Sequence, residues 1–214
     1  MKYSAVVFDL DGTILDTLLD LKNAANAALT QCGYPERTLE EVRMFVGNGI
    51  RKLIERAVPK GTSAEDTDKV HRAFTEYYKA HCADNTRPYD GIPKLLYDLK
   101  AAGVKTAVVS NKADYAVGEL CRDYFDGLFD FYVGEREGIR KKPAPDSVLE
   151  ALKNIGVSAD RAVYIGDSDV DIDTAKNSGL AFIGVSYGFR GRGFLEAHGA
   201  VDIADSVEDI YRYL

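Results

Sequence analysis

The chain has 214 residues, 46% hydrophobic and 29% charged, with three cysteines and a formal net charge of −7. This predicts an ordinary globular chain with a sizeable core, long enough for one large domain or a main domain with an insert. It excludes a nucleic-acid footprint, because no Lys/Arg cluster stands out, a membrane span, because no apolar run approaches ~20 residues, and a disulfide framework, because Cys32, Cys82 and Cys121 are scattered singly.

The N-terminus enters the first predicted strand directly, with no signal or transit peptide, and the expected location is a reducing cytoplasm. Ala5-Val6-Val7-Phe8 is an apolar, β-branched run of the kind buried on both faces of a sheet. It breaks into Asp9-Leu10-Asp11-Gly12-Thr13. Unpaired aspartates do not sit in strand interiors, so both belong at the strand end, and alternation puts them on one side. Gly12 allows a sharp exit. Two carboxylates so close repel unless a divalent cation or a shared proton lies between them. Taken alone, the pair reads equally as a turn in which an aspartate caps a helix.

Helical periodicity then runs from Asp16 to Cys32, with Leu18, Leu21, Ala25, Ala28 and Leu29 on one face. Thr38 and Glu41 form a capping box for a helix to about Val46, Gly47-Asn48-Gly49 is a break, and a further helix spans Ile50 to about Val58. Ser63 and Asp66 cap another, with Val70, Phe74, Tyr77 and Tyr78 as its apolar stripe. Past the linker at Thr86–Gly91, strands and helices alternate. Strands are predicted at Val104–Val109, Phe131–Val133, Ala162–Ile165, Ala181–Val185 and, more weakly, Val201–Ile203, with helices between them and a last helix capped by Ser206 and Asp209. The fold class is α/β: a doubly wound parallel sheet of Rossmann-like form at 1–15 and 86–214, with an inserted all-helical domain at 16–85.

Four strand ends or following loops carry polar groups suited to phosphoryl transfer. Asp9 is a candidate nucleophile and Asp11 a candidate proton donor and acceptor. Ser110, just beyond its strand, offers a hydroxyl next to a helix start. Lys142 is a cation in the stiff loop with Pro143, and Asp167, with Asp169, Asp171 and Asp173 nearby, offers hard oxygens of the kind Mg²⁺ prefers.

In this order and spacing the segments resemble the haloacid dehalogenase superfamily: Asp9-Leu10-Asp11-Gly12-Thr13, Val109-Ser110-Asn111, Lys142-Pro143, and Gly166-Asp167-Ser168-Asp169-Val170-Asp171 match its four motifs, and the helical insert resembles its first cap class. Within that superfamily the chain is most similar to phosphoglycolate phosphatase-like members. The resemblance implies that Asp9 attacks phosphorus to form an aspartyl-phosphate and that Asp11 protonates the leaving oxygen and then activates water. It implies that Ser110, the Asn111 backbone and Lys142 hold the phosphoryl group, with Thr13 among the substrate-binding residues. It also implies that Mg²⁺ is bound by the Asp9 carboxylate, the Asp11 main-chain carbonyl and Asp167, with Asp171 supporting the metal or Lys142. Register with Pro143 favours Lys142 over Lys141. Gly47, Asn48, Gly49 and Arg51 read equally as an anion-binding helix start that helps choose the substrate and as a plain turn with a solvated arginine.

The function expected is Mg²⁺-dependent hydrolysis of a small phosphorylated metabolite by a monomer or homodimer. A β-phosphoglucomutase-like transferase shares every core motif, and pyrophosphatase and 5′-nucleotidase activities use the same chemistry. A receiver-like phospho-accepting module would need neither the long helical insert nor this acidic pattern on the first strand.

Overall fold

The computed structural model describes all 214 residues and divides into two compact units, Met1–Asp16 with Pro88–Leu214, and Thr17–Arg87. In chain order the elements are β1 (Ala5–Phe8), β2 (Leu15–Asp16), α1 (Leu18–Gln31), α2 (Leu39–Phe45), α3 (Ile50–Ala57), α4 (Ala64–His81), β3 (Arg87–Pro88), α5 (Ile92–Ala101), β4 (Lys105–Ala113), α6 (Asp114–Phe125), β5 (Phe131–Glu135), α7 (Asp146–Ile155), β6 (Ala162–Gly166), α8 (Asp169–Ser178), β7 (Ala181–Val185), α9 (Arg192–Ala197), β8 (Ile203–Ala204) and α10 (Val207–Ile210). No helix is long and apolar enough to cross a membrane.

The larger unit is built on a six-stranded parallel sheet in the order β5-β4-β1-β6-β7-β8. β1 pairs with β4 on one side and β6 on the other, so the winding direction reverses at β1. The carboxyl end of a strand at such a switch point is where open α/β sheets leave a crevice. Both faces of β1 are covered. Val6 and Phe8 pack with Leu95, Leu99, Val117 and Leu120 of α5 and α6, and Ala5 and Val7 with Val148, Ala151 and Leu152 of α7. Burial of each large side chain contributes about 1.5–3 kcal/mol, which fixes β1 as the central strand and with it the position of Asp9. The Tyr89 N–H donates to the Ile14 carbonyl at 3.2 Å, so the chain leaves and re-enters this unit at neighbouring points.

Several strand boundaries differ from the sequence reading: β5 runs two residues further, to Glu135, and β6 one further, to Gly166. β4 runs on through Ser110, Asn111 and Lys112 to Ala113, because each of these polar side chains makes a hydrogen bond inside the unit, and its register against β5 shifts between Val109 and Ala113. The last strand is Ile203–Ala204, while Val201 stands in solvent at 90% exposure, leaving it no apolar surface to pair against.

The smaller unit is helical. Thr38 accepts the Glu41 N–H and its own N–H donates to the Glu41 carboxylate, closing the capping box of α2, and Ser63 accepts the Asp66 N–H at the start of α4. Leu21, Ala25, Ala28 and Leu29 on α1 are buried, as are Val70, Phe74 and Tyr78 on α4. Tyr77, expected in the same stripe, is only half-buried and stacks on His81. Asp20, in the first turn of α1, is buried and accepts hydrogen bonds from the Asn85 N–H and Nδ2 and the Thr86 N–H and Oγ1 at 2.8–3.0 Å.

Candidate active site

β1 ends at Phe8, and the Asp9 N–H continues the parallel pairing by donating to the Ile165 carbonyl at 2.9 Å. The chain then turns on one acceptor: the N–H groups of Thr13, Ile14 and Leu15 all point at the Leu10 carbonyl, 3.1–3.3 Å away. Gly12 sits at φ 85°, and a Cβ there would overlap the Asp167 carboxylate. Gly188 is under the same constraint, since a Cβ would overlap both the Gly12 carbonyl and Asp167. The two glycines thus let three loops close on one carboxylate.

At the centre stands Lys142, 4% exposed, with the Lys142–Pro143 peptide bond cis. Its Nζ donates to Asp9 Oδ1 at 2.8 Å, Asp171 Oδ1 at 2.8 Å and the Tyr164 hydroxyl at 2.9 Å, which accounts for all three ammonium hydrogens. Asp171 is fully buried at the start of α8. Its Oδ2 accepts from the Asp167 N–H, the Ser168 N–H and the Ser168 hydroxyl at 2.6–3.2 Å, so one oxygen is spent on the helix cap and the other on Lys142. The Phe189 N–H donates to Asp167 Oδ2 at 2.6 Å.

Carboxylate oxygens of Asp9, Asp167 and Asp171 lie within 4.8 Å of one another, all three residues buried. Burial first, and then the charge of Asp171, push the Asp9 carboxyl up to about 7 against the opposing pull of Lys142. Burial, then Asp171 and Asp9, hold the Asp167 carboxyl well above its usual range. Burial by itself would depress Lys142, but the charges of Asp171 and Asp9 outweigh it and hold the ammonium well above its ordinary value. The Tyr164 phenol is held well above its ordinary value by burial, and so stays protonated. A cluster of hard oxygens in mutual repulsion fits a small divalent cation of the Mg²⁺ type.

The other expected residues fall as follows. Ser110 and Asn111 lie inside β4 and not beyond it: the Ser110 hydroxyl accepts the Lys112 N–H at 3.2 Å, and Asn111 Nδ2 donates to the Lys142 carbonyl at 3.1 Å, tying the end of β4 to the lysine loop. The start of α6 is therefore displaced from Ser110 by three residues of strand. Thr13 is fully buried, its hydroxyl without a hydrogen-bond partner and its carbonyl accepting from the Tyr187 hydroxyl at 3.1 Å. Asp11 Oδ1 accepts from the Lys112 ammonium at 2.8 Å. Lys141 points away to Glu135, 3.5 Å off, and is only half-buried. Gly47, Asn48, Gly49 and Arg51 belong to the helical unit: Gly49 is the N-cap of α3, Asn48 Oδ1 accepts from Arg56, and the Arg51 guanidinium pairs with Glu55 and Asp68.

Sequence reasoning missed two site residues. Lys112 carried a signal, since alternation puts it on the same side of an extended strand as Ser110. Tyr164 carried only a faint one, a hydroxyl in the otherwise apolar run Ala162–Ile165.

Comparison with known proteins gives a consistent picture. The family described as Haloacid dehalogenase-like hydrolase matches residues 6–185. A phosphoglycolate phosphatase of Neisseria meningitidis serogroup A is 34% identical over 220 aligned positions, covering 98% of this chain and 93% of the relative. An N-acetylmuramic acid 6-phosphate phosphatase of Pseudomonas aeruginosa is 31% identical, covering 95% and 90%. A crystal structure from Lactobacillus delbrueckii subsp. bulgaricus, described provisionally as a phosphoglycolate phosphatase, superposes with a TM-score of 0.95 at 40% identity, covering 100% of this chain and 98% of that one.

Proposed function

Because the chain belongs to the haloacid dehalogenase-like hydrolase family, we propose that it is a Mg²⁺-dependent phosphatase that hydrolyses a small phosphomonoester resembling phosphoglycolate through an aspartyl-phosphate. The observation that carries this reading is the Lys142 ammonium, buried and bonded at once to Asp9 and Asp171 beside Asp167. A lysine in that place fixes the direction of the Asp9 carboxylate and sets a positive charge where a phosphoryl oxygen would arrive.

Asp9 is the nucleophile, because it is the carboxylate at the switch point of the sheet and Lys142 occupies only one of its oxygens. Its attack forms a covalent phosphoryl-enzyme, which divides a very slow hydrolysis into two easier displacements. Asp11 gives a proton to the leaving oxygen and takes one from the water that completes the reaction. Ser110 supplies a hydroxyl, and Asn111 holds the lysine loop through the Lys142 carbonyl. Asp9, Asp167 and the Asp11 main-chain carbonyl would hold Mg²⁺, with Asp171 supporting the set through Lys142. When bound, the ion supplies charge neutralisation for the transferring phosphoryl group. In the helical unit, the start of α3 at Gly49, with Gly47, Asn48 and Arg51, is the proposed contribution to substrate choice.

The relative named N-acetylmuramic acid 6-phosphate phosphatase favours a sugar 6-phosphate as the second reading. Phosphate release in Mg²⁺ from 2-phosphoglycolate, sugar 1- and 6-phosphates, nucleoside monophosphates and pyrophosphate decides between them, with Asp9→Asn as the control. The expected result is preference for 2-phosphoglycolate. Release from no substrate, or full activity in Asp9→Asn, overturns the proposal.

A further inference from the structure

Only two of the chain's lysines are buried, Lys142 and Lys112. Lys112 has no assigned part in the chemistry so far, yet its ammonium is withdrawn from water more completely than almost any other charge in the molecule, with 2% of its side chain exposed. A buried ammonium is costly unless it is paired, and its partner here is Asp11 Oδ1 at 2.8 Å.

The backbone around Lys112 is shaped to turn it inward. β4 loses register with β5 between Val109 and Ala113, so Lys112 lies in the irregular stretch. On β5, Gly134 faces this stretch, and a Cβ on it would overlap the Lys112 carbonyl and the Asp114 backbone. The Gly134 N–H is taken by Asp114 Oδ1 at 2.7 Å, and the Lys112 N–H by the Ser110 hydroxyl at 3.2 Å. A glycine, an aspartate and a serine thus hold an irregularity whose product is the inward course of one lysine, and irregularities of this kind commonly re-aim a side chain beside an active site.

Resting on the phosphatase reading above, we propose that Lys112 is a positioning residue: it holds Oδ1 of Asp11, so that Oδ2 delivers its proton to the leaving-group oxygen and later receives the proton of the attacking water. In the first half-reaction an Asp9 oxygen bonds to phosphorus, the ester P–O bond breaks, and the proton on Asp11 passes to the departing oxygen, leaving Asp11 as a carboxylate beside the ammonium. In the second, water oxygen bonds to phosphorus, its proton passes to Asp11, and the Asp9–phosphorus bond breaks to give inorganic phosphate. Atoms and charge balance with no further reactant. Without Lys112, the same carboxyl would be free to rotate away from the leaving oxygen.

The test is leaving-group dependence. In Mg²⁺, kcat/KM is measured for phenyl phosphate and p-nitrophenyl phosphate, two esters of similar shape. The nitrophenolate departs without help and the phenolate gains from a proton. Since kcat/KM reports the first half-reaction, a misplaced acid lowers it for phenyl phosphate selectively. Lys112→Met is expected to lower it at least about 10-fold for phenyl phosphate and less than about 3-fold for p-nitrophenyl phosphate, within the range that general acids contribute. Asp11→Asn is expected to show the same selectivity, and Lys112→Arg to recover most of the loss. The ratio of the two esters on one preparation cancels any loss of folded protein. Equal losses on both esters, or a loss confined to KM, overturn the role of Lys112 while leaving a working phosphatase. A wild-type enzyme that releases phosphate from neither ester overturns the phosphatase reading itself and this proposal with it.

Discussion

Asp9 in the larger unit and Asp20 in the helical unit are both aspartates withdrawn from solvent, at 8% and 2% exposure, and they are bonded in opposite ways. Asp20 is saturated by neutral donors: the backbone and side chains of Asn85 and Thr86 cover both of its oxygens. Asp9 makes one side-chain hydrogen bond, to Lys142, and otherwise faces the carboxylates of Asp167 and Asp171. The first arrangement uses a carboxylate as a clasp. It ties the beginning of α1 to the chain segment that leaves the helical unit, and its stability is complete without any ligand. The second leaves an oxygen under-satisfied and like charges opposed, a state that a cation and a phosphoryl group would relieve. Burial is shared; the supply of donors separates a structural aspartate from a reactive one.

The widest separation between the two comes from removing each carboxylate. Asp9→Asn is expected to lower phosphate release by more than about 10³-fold, since it removes the proposed attacking carboxylate. The fold should survive, because the change also removes one of three opposed charges. Asp20→Ala is expected to leave kcat per folded molecule near wild type and to cost about 2–3 kcal/mol of stability, the order set by stranding several buried donors. Lys142→Met falls between them: it should lose turnover and also about 3–5 kcal/mol, because it leaves the Asp9 and Asp171 charges uncompensated. Urea unfolding and steady-state rates on each variant check all three. An active Asp9→Asn, or an Asp20→Ala protein with intact stability, would break the distinction.

Much of this contrast was legible in the residues, and the illegible part has a physical cause. Asp9 announces itself because it follows Ala5-Val6-Val7-Phe8, where a carboxylate has no reason to be unless it lies at a strand end. The parallel sheet follows from the alternation of apolar strands with amphipathic helices. Asp20 gave no such signal: an aspartate in a helix's first turn is common, and its partners lie 65 residues away. Tyr164 and Lys112 were hidden for a related reason. Their roles depend on which strands become neighbours, and periodicity along one strand carries no information about the strand beside it. β4 extends past Val109 because Ser110, Asn111 and Lys112, though polar, meet partners at the end of the sheet: the Ser110 hydroxyl accepts the Lys112 N–H, Asn111 Nδ2 donates to the Lys142 carbonyl and the Lys112 ammonium donates to Asp11.

The pH dependence of stability sharpens the comparison without any substitution. With the folded-state pKa of Asp9 raised to about 7, the metal-free native state keeps a proton that the unfolded chain releases near pH 4. The folded state then binds more protons across that window, so stability falls as pH rises from about 4 to 7, by up to about 1.4 kcal/mol per pH unit. Mg²⁺ should flatten the slope by supplying the missing charge, and Asp9→Asn should reduce it by removing one of two raised carboxyls, leaving the share of Asp167. Urea midpoints at both ends of the window, in chelator and in Mg²⁺, measure this. Stability in chelator that does not fall with pH would contradict the account of Asp9.

The smallest change concerns the hydroxyl of Tyr164. Lys142 has three hydrogens and gives them to Asp9, Asp171 and this hydroxyl, and the hydroxyl lies 3.2 Å from the Val109 carbonyl and 3.3 Å from Asp171 Oδ1. Tyr164→Phe keeps the ring, and with it the packing of β6, but takes away one acceptor from a buried ammonium. The loss of one such bond amounts to about 1–2 kcal/mol. If the hydroxyl only filled space, that energy would appear in the urea midpoint and turnover would be untouched. If it fixes the direction in which Lys142 meets Asp9, kcat should fall by about 10-fold with KM nearly constant, because a misdirected ammonium is felt most where charge develops on the transferring phosphoryl group. The second outcome is expected. Tyr164 makes no side-chain hydrogen bond to Asp9 and meets its carboxylate through Lys142, while the Asp171 carboxylate, within reach of both, already holds the lysine in place for folding.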